Sequence, residues 1–323
     1  MAPVDTKSEA APSVVGLGST LSPVSIRNIL LATDFSATSE AALPYAAALC
    51  RRFGSTLHLA HVLSEATLLM MSGGVDYVSM GTIYDDAEAA AKEKLEHVAA
   101  RLEGIEHRSY VRRGPVWNSL TGIVQRYPID LIILGTHGRT GLGKLLLGSV
   151  AEDILRHAPC PVLTVGPKVC GHARLPAFPP GRDLAPVELD IRQILVATNC
   201  GDNPVVLART AAALAAEFRA RLTLMHVVED YAHLGTRPEL MQKGRERLQA
   251  LVPKDVALQY PPDVLLEFGS AHEQILKIAD DREADFLVLG ARSAGEVGTS
   301  HLPWSTAHHV IAHAHCPVLT LRG

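Results

Sequence analysis

Short apolar runs alternate with longer amphipathic stretches along most of the chain. Ile26–Thr33, Thr56–Val62, Glu106–Arg112, Leu131–Gly135 and Pro161–Val165 predict strands. Most are apolar at consecutive rather than alternate positions, the pattern of parallel strands covered by helices on both faces. Between them, Ser36–Arg52, Thr82–Leu102, Val116–Arg126 and Leu146–Arg156 predict helices. Ser36 is placed as the N-cap of the first, because its hydroxyl can accept from an unsatisfied N–H of the opening turn. The order β-α-β-α-β-α-β-α-β predicts an open doubly wound α/β sheet.

The series then recurs. Ile29–Val62 aligns without a gap on Ile194–Val227, an offset of 165 residues. DLIILG at Asp130–Gly135 matches DFLVLG at Asp285–Gly290, and CPVLTV at Cys160–Val165 matches CPVLTL at Cys316–Leu321. Preserved order and near-preserved spacing indicate duplication. The chain therefore divides into a lead (1–25), a first domain (26–167), a linker (168–190) and a second domain (191–323), each domain with a five-stranded, mostly parallel sheet. The linker contains LPAFPPGRDLAP, a composition that resists helix and strand. The lead is rich in Ala, Pro, Ser, Thr and Gly and lacks a basic segment followed by an apolar one. It is expected to be disordered rather than a signal peptide.

Composition adds exclusions. A length of 323 residues suits two domains, and 47% hydrophobic residues suffice for packed cores. A net charge of -4 supplies no general attraction to nucleic acid or an anionic membrane, so neither is an expected partner. No apolar run approaches the roughly 20 residues of a membrane span, and a cytoplasmic location is expected. Five cysteines without paired spacing do not form a disulfide framework. Cys160 and Cys316, each opening a strand, are read as packing residues, and Cys170 in the linker as an exposed thiol.

The stretch Leu134–Val150, LGTHGRTGLGKLLLGSV, carries the candidate chemistry. It follows a buried strand and opens the last helix of the first copy. Ligands of open α/β sheets collect at such carboxyl ends. The glycines allow tight turns and close approach of backbone N–H groups, and a helix beginning at Gly148-Ser149 offers N–H groups and a dipole to a phosphate. On these residues alone, a simple connecting loop is an equal alternative.

The full pattern, Gly135-x2-Gly138-x9-Gly148-Ser149, resembles the ATP-binding signature of the universal stress protein family. The resemblance spans both copies and includes ATDFS after the first strand, HV closing the second and the terminal CPVL. It implies a fold of the adenine-nucleotide α-hydrolase type and ATP, with or without Mg²⁺, as the cofactor. It places Ala32, Thr33 and Asp34 beside adenine and ribose, and Val62 in the adenine pocket. Gly135, Thr136, His137, Gly138, Arg139, Gly148, Ser149 and Val150 would wrap ribose and phosphates. Asp34 is read either as a ligand of ribose or Mg²⁺, or as a turn residue at the helix start. Its place at a strand end beside the glycine motif favours the ligand role. Arg139 and Lys144 either neutralise phosphate or are solvated loop residues, and the motif does not specify Lys144.

The second copy departs from the pattern. Its run Leu289–Thr306 keeps Gly290 but places Ser293 at the second glycine, Trp304 opposite Gly148 and Ser305 opposite Ser149, and Asn199 replaces Asp34. A Trp side chain where backbone must approach phosphate, and a lost charge, predict that this copy does not bind ATP.

Two other motifs are discounted. Ser72–Tyr77 resembles the SGGxDS loop of PP-loop pyrophosphatases, but follows the second strand rather than the first and ends in Tyr77. Ser64–Met80 is instead read as a loop bordering the crevice. His301, His308, His309, His313 and His315 cluster late. A solvated or helix-capping cluster is the default, with zinc shared by His309 and His313 as the alternative.

The leading expectation is a cytoplasmic tandem universal stress protein with a regulatory or stress-response role, binding ATP in its first domain. The alternatives are a slow ATPase or adenylate-processing enzyme, for which no catalytic residue is assigned, and a nucleotide-free scaffold. The terminal strands are expected sheet edges through which the two copies pack as a pseudo-dimer within the chain. Homodimerisation is left open.

Overall fold

The computed structural model describes residues 24–64, 80–136, 147–169, 189–199, 203–229, 237–291 and 303–322. Nearly all of the lead, residues 170–188 with Cys170, residues 65–79 and residues 137–146 lie outside the described residues. In the first copy the elements are β1 (Asn28–Ala32), α1 (Ala37–Phe53), β2 (Thr56–Leu63), α2 (Met80–Ala99) and β3 (His107–Arg113), then α3 (Val116–Arg126), β4 (Leu131–Gly135), α4 (Ser149–His157) and β5 (Val162–Val165). The second copy repeats them. It runs β6 (Gln193–Ala197), α5 (Pro204–Phe218), β7 (Arg221–Val228), α6 (Arg237–Leu251) and β8 (Asp263–Phe268), then α7 (Ala271–Asp281), β9 (Phe286–Ala291), α8 (Pro303–His313) and β10 (Val318–Arg322).

The strands form one ten-stranded sheet in the order β3-β2-β1-β4-β5-β10-β9-β6-β7-β8. Within each copy neighbours run parallel. The copies join through an antiparallel pair, β5 with β10, in which Leu163 stands opposite Leu319.

Successive strand residues bury into opposite faces, which is why the strands read as continuous apolar runs. Ile29, Leu31, Leu57, Leu59 and Ile133 meet Leu43, Leu49 and Leu95 from α1 and α2, and the same core continues into Ala211 and Leu214 of α5. On the other face, Leu30 and Ile132 meet Leu120, Ile123, Ile154 and Leu155 from α3 and α4, continuing into Val310 and Ile311 of α8.

Local chemistry sets the element ends. Ser36 caps α1, its Oγ accepting from Ser39 N–H at 3.3 Å, and Gly54 closes the helix in the left-handed region at φ 66°. β1 starts at Asn28 rather than the predicted Ile26, and the Asp130 carboxylate takes the N–H groups of Arg27 and Asn28 at that start. Its Oδ2 accepts from Arg27 at 2.7 Å and Asn28 at 3.0 Å. Asp285 does the same for Arg192 and Gln193 in the second copy, at 2.7 and 2.9 Å. The helix expected from Leu146 begins at Ser149, with Gly148 as its N-cap. The helix expected to run to Leu102 ends at Ala99, where tighter turns follow, Arg101 N–H donating to Val98 O and Leu102 N–H to Ala99 O. Among the described residues, no helix is long and apolar enough to cross a membrane.

Candidate functional site

β1 lies between β2 and β4. The chain leaves β1 into α1 on one face of the sheet and leaves β4 toward α4 on the other. The sheet's winding reverses between these two strands, and such a switch point opens a crevice at their carboxyl ends. Ala32 is in register with Leu134 of β4 on one side and Ala60 of β2 on the other. Ala32–Asp34, Gly135–Thr136 and Val62 therefore sit at three adjacent strand ends.

Thr33 is buried and fixed from every side. Its N–H donates to Ala60 O at 2.9 Å, and its hydroxyl lies 3.1 Å from Ser39 Oγ and accepts from Phe35 N–H at 3.1 Å. Its carbonyl accepts from His61 Nδ1 at 2.7 Å, which places the proton on Nδ1 because a carbonyl cannot donate. Asp34, half-buried, accepts from Ser36 N–H through Oδ1 at 3.0 Å. The turn role considered for Asp34 is thus present, an Asx turn leading into the Ser36 cap. Phe35 occupies the left-handed region at φ 62°, a conformation that costs a non-glycine residue about 1–3 kcal/mol. Its ring is held by His61, 4.5 Å away between centroids, and by the Lys94 ammonium at 5.6 Å.

Gly135 has a packing reason to be glycine. An added Cβ would stand 2.5 Å from Thr38 C, 2.6 Å from Ser39 N and 2.7 Å from Thr38 O, all backbone atoms at the start of α1. Thr136 is buried; its N–H donates to Val165 O at 3.1 Å and its carbonyl accepts from Gly148 N–H at 2.8 Å. That bond draws the start of α4 to the end of β4. It also commits the Gly148 N–H, expected to be among the groups facing phosphate, to the protein itself. The next donors belong to Ser149, Val150 and Ala151, ahead of Glu152 N–H, which donates to Gly148 O at 2.9 Å. Ser149 is exposed and Val150 is 42% exposed. Ala32 and Val62 pack on the α3/α4 side of the sheet, the side from which this helix start approaches. His137, Gly138, Arg139 and Lys144 lie outside the described residues.

The second copy keeps the scaffold and changes the crevice. Thr198 N–H donates to Met225 O at 3.0 Å, and His226 Nδ1 donates to Thr198 O at 2.7 Å, repeating Thr33 and His61. Asn199 is exposed where the first copy has Asp34. α5 starts at Pro204, two residues later than the repeat register with α1 requires, behind Asn203 in the left-handed region. Among the described residues, the nearest atom to an added Cβ at Gly290 is Leu207 Cδ2 at 3.8 Å. Ser293 and the side chains of Trp304 and Ser305 lie outside the described residues.

Sequence reasoning missed His61, His226, Asp130 and Asp285. The signal was available, since each pair is identical across the repeat whereas Asp34, Gly138 and Gly148 are replaced by Asn199, Ser293 and Trp304. The late histidines form a contact series. His309 lies 4.1 Å from His272 and 4.2 Å from His313 between ring centroids, and His313 Nδ1 donates to His309 O at 2.8 Å. Among the described residues, no group of three or more His, Cys, Asp or Glu could hold a metal ion, so the zinc reading gains no support. Burial pushes the Cys160 and Cys316 thiols up to about 12, consistent with packing.

Fold and crevice together define a duplicated doubly wound α/β protein with a ligand-type switch point in each half. The family model for the universal stress protein family matches residues 25–166 and 190–322. The chain belongs to that family, as a tandem of two domains. It is 30% identical over 155 residues to a universal stress protein of Methanocaldococcus jannaschii, covering 44% of this chain and 96% of that one. It is 31% identical over 140 residues to a universal stress protein A homolog of Coxiella burnetii, covering 43% and 95%. The crystal structure of a universal stress protein from Archaeoglobus fulgidus shares the fold over 91% of this chain and 98% of its own, with a TM-score of 0.65 at 21% identity.

Proposed function

We propose that the first domain binds one ATP, with Mg²⁺ held in part by Asp34, and that the second domain does not. On this reading the protein is a cytoplasmic regulatory or stress-response factor whose signal is nucleotide occupancy rather than turnover. The observation that carries it is the divergence of two copies on one scaffold. The first keeps Asp34, Gly138 and Gly148-Ser149, whereas the second has Asn199, Ser293 and Trp304-Ser305.

The exposed start of α4 supports the phosphate end. Ser149 supplies a hydroxyl, and the first-turn N–H groups and helix dipole favour an anion. Asp34 at the neighbouring strand end supplies the hard oxygen that Mg²⁺ takes as a ligand. Ala32 and Val62 offer apolar contact suited to a purine.

Isothermal titration with ATP and Mg²⁺ should give one site per chain, and Gly148→Trp should abolish it. Two sites of similar affinity would contradict the asymmetry. Undiminished binding in Gly148→Trp would move the site elsewhere.

A further inference from the structure

The two copies meet along positions that are each other's equivalents. Leu163 and Leu319, matched by the CPVLTV and CPVLTL segments, stand opposite one another in the β5–β10 pair. On either side of them Thr164 Oγ1 donates to Val318 O and Thr320 Oγ1 to Val162 O, both at 3.1 Å. Phe53 and Phe218, matched by the 165-residue offset, pack edge to face with centroids 6.3 Å apart. An approximate two-fold axis therefore passes through the seam, and residues beside it face their own counterparts.

Such a seam does not distinguish its partners by shape. Leucine on leucine, threonine on strand carbonyl and phenylalanine on phenylalanine would serve two first copies, two second copies, or one of each. Position 52 in the first copy and 217 in the second break this indifference, because the counterparts are Arg52 and Glu217. Arg52 Nε lies 2.8 Å from Glu217 Oε1, its Nη2 donates to Glu217 O at 2.7 Å, and its guanidinium carbon stands 5.8 Å from the Phe218 ring centroid. Beyond the sheet's other face a second counterpart pair is also unlike. Glu152 of α4 matches His308 of α8, and the imidazole lies within the field of Glu152 and Arg156.

We propose that Arg52 and Glu217 are the specificity-determining residues of the seam, restricting the first copy to the second copy as its partner. Two first copies meeting through this surface would set Arg52 against Arg52, and two second copies Glu217 against Glu217. The pair therefore acts by excluding like partners as well as by attracting the unlike one. The second copy is on this account a dedicated cover for the β5 edge of the first, whatever ligand either crevice takes. Arg52 is half-exposed, so the discrimination is modest and screened by salt.

The test uses the full chain and four variants, Arg52→Gln, Arg52→Glu, Glu217→Arg and the double reversal Arg52→Glu/Glu217→Arg. Urea midpoints are measured at low salt and in 1 M NaCl. Removing the charge should lower the midpoint, and reversing it should lower it further, by roughly two- to fivefold in the unfolding equilibrium relative to wild type. The double reversal should recover at least half of the summed single losses, and the differences should shrink in high salt. Arg52→Glu no worse than Arg52→Gln would overturn the proposal. Strictly additive losses in the double reversal, or losses unchanged by salt, would overturn it equally.

Discussion

Gly135 and Gly290 occupy the same place in the two copies, and the structure gives their substitution opposite outcomes. In Gly135→Ala the new Cβ meets the Thr38 and Ser39 backbone at 2.5–2.7 Å. It must retreat by about 0.7–0.9 Å to reach the 3.4 Å of ordinary contact, and the obstacle is main chain that cannot rotate away. The adjustment falls on the first turn of α1, which is held by the Ser36 cap and by the Thr33–Ser39 hydroxyl contact. Overpacking of this kind costs about 1–3 kcal/mol, and backbone on backbone places the substitution near the upper end. At roughly 2–4 °C per kcal/mol for a domain of this size, the first domain should melt about 6–12 °C lower. In Gly290→Ala the Cβ meets, among the described residues, only Leu207 Cδ2 at 3.8 Å, an ordinary contact, and removing a strand glycine should stabilise by about 0.4–1 kcal/mol. Scanning calorimetry of the two full-length variants separates these outcomes. A Gly290→Ala loss as large as that of Gly135→Ala, or a Gly135→Ala protein melting with wild type, would refute the packing argument.

Two further outcomes follow from the polar framework. Asp285 is buried and holds the N–H groups of Arg192 and Gln193 at the start of β6, so Asp285→Ala should cost about 2–3 kcal/mol in urea unfolding. Asp130→Ala should cost less, because Asp130 and Asn28 are half-buried and Arg27 is exposed, so the freed N–H groups recover water; equal losses would count against that account. Stability should also fall on acidification. His58 and His308 titrate below 6.5 in the folded chain, chiefly because burial disfavours the imidazolium, and His309 does so through burial and its His272 and His313 neighbours. Unfolded imidazoles take up protons near 6.5 that the folded ones refuse, so the stability present above 6.5 is lost as pH falls below it. Urea midpoints at pH 7.5, 6.5 and 5.5 should decline, and His58→Gln should flatten the decline. A midpoint rising toward pH 5.5 would reverse the sign.

The repeat, the alternation of elements, the two-faced burial of the strands and the Ser36 cap were all legible in the sequence, because each depends on neighbours a few residues apart. Of the candidate crevice, the adjacency of the strand ends at Ala32–Asp34, Val62 and Gly135 was legible, whereas His137, Gly138 and Arg139 lie outside the described residues. Consecutive strand ends and a glycine motif are local features, and comparing the two copies separates residues that diverge from those that stay. The identity of Asp130 with Asp285 across the repeat marks it as a residue that matters, but the strand start it ties off, about a hundred residues away, is not readable because nothing in its vicinity reveals its partner. The same holds for His61, which fixes the Thr33 carbonyl from the neighbouring strand.

The chain by itself determined that there are two like domains and that their crevices differ, since those facts are written in order and identity. Tertiary structure decided why Gly135 meets main chain while Gly290, among the described residues, does not, because that depends on where α1 and α5, the helices after the neighbouring strands β1 and β6, begin. It also decided that Arg52 meets Glu217. An edge strand's partner is chosen by geometry across the whole fold, and no local pattern specifies which surface the seam will bring face to face.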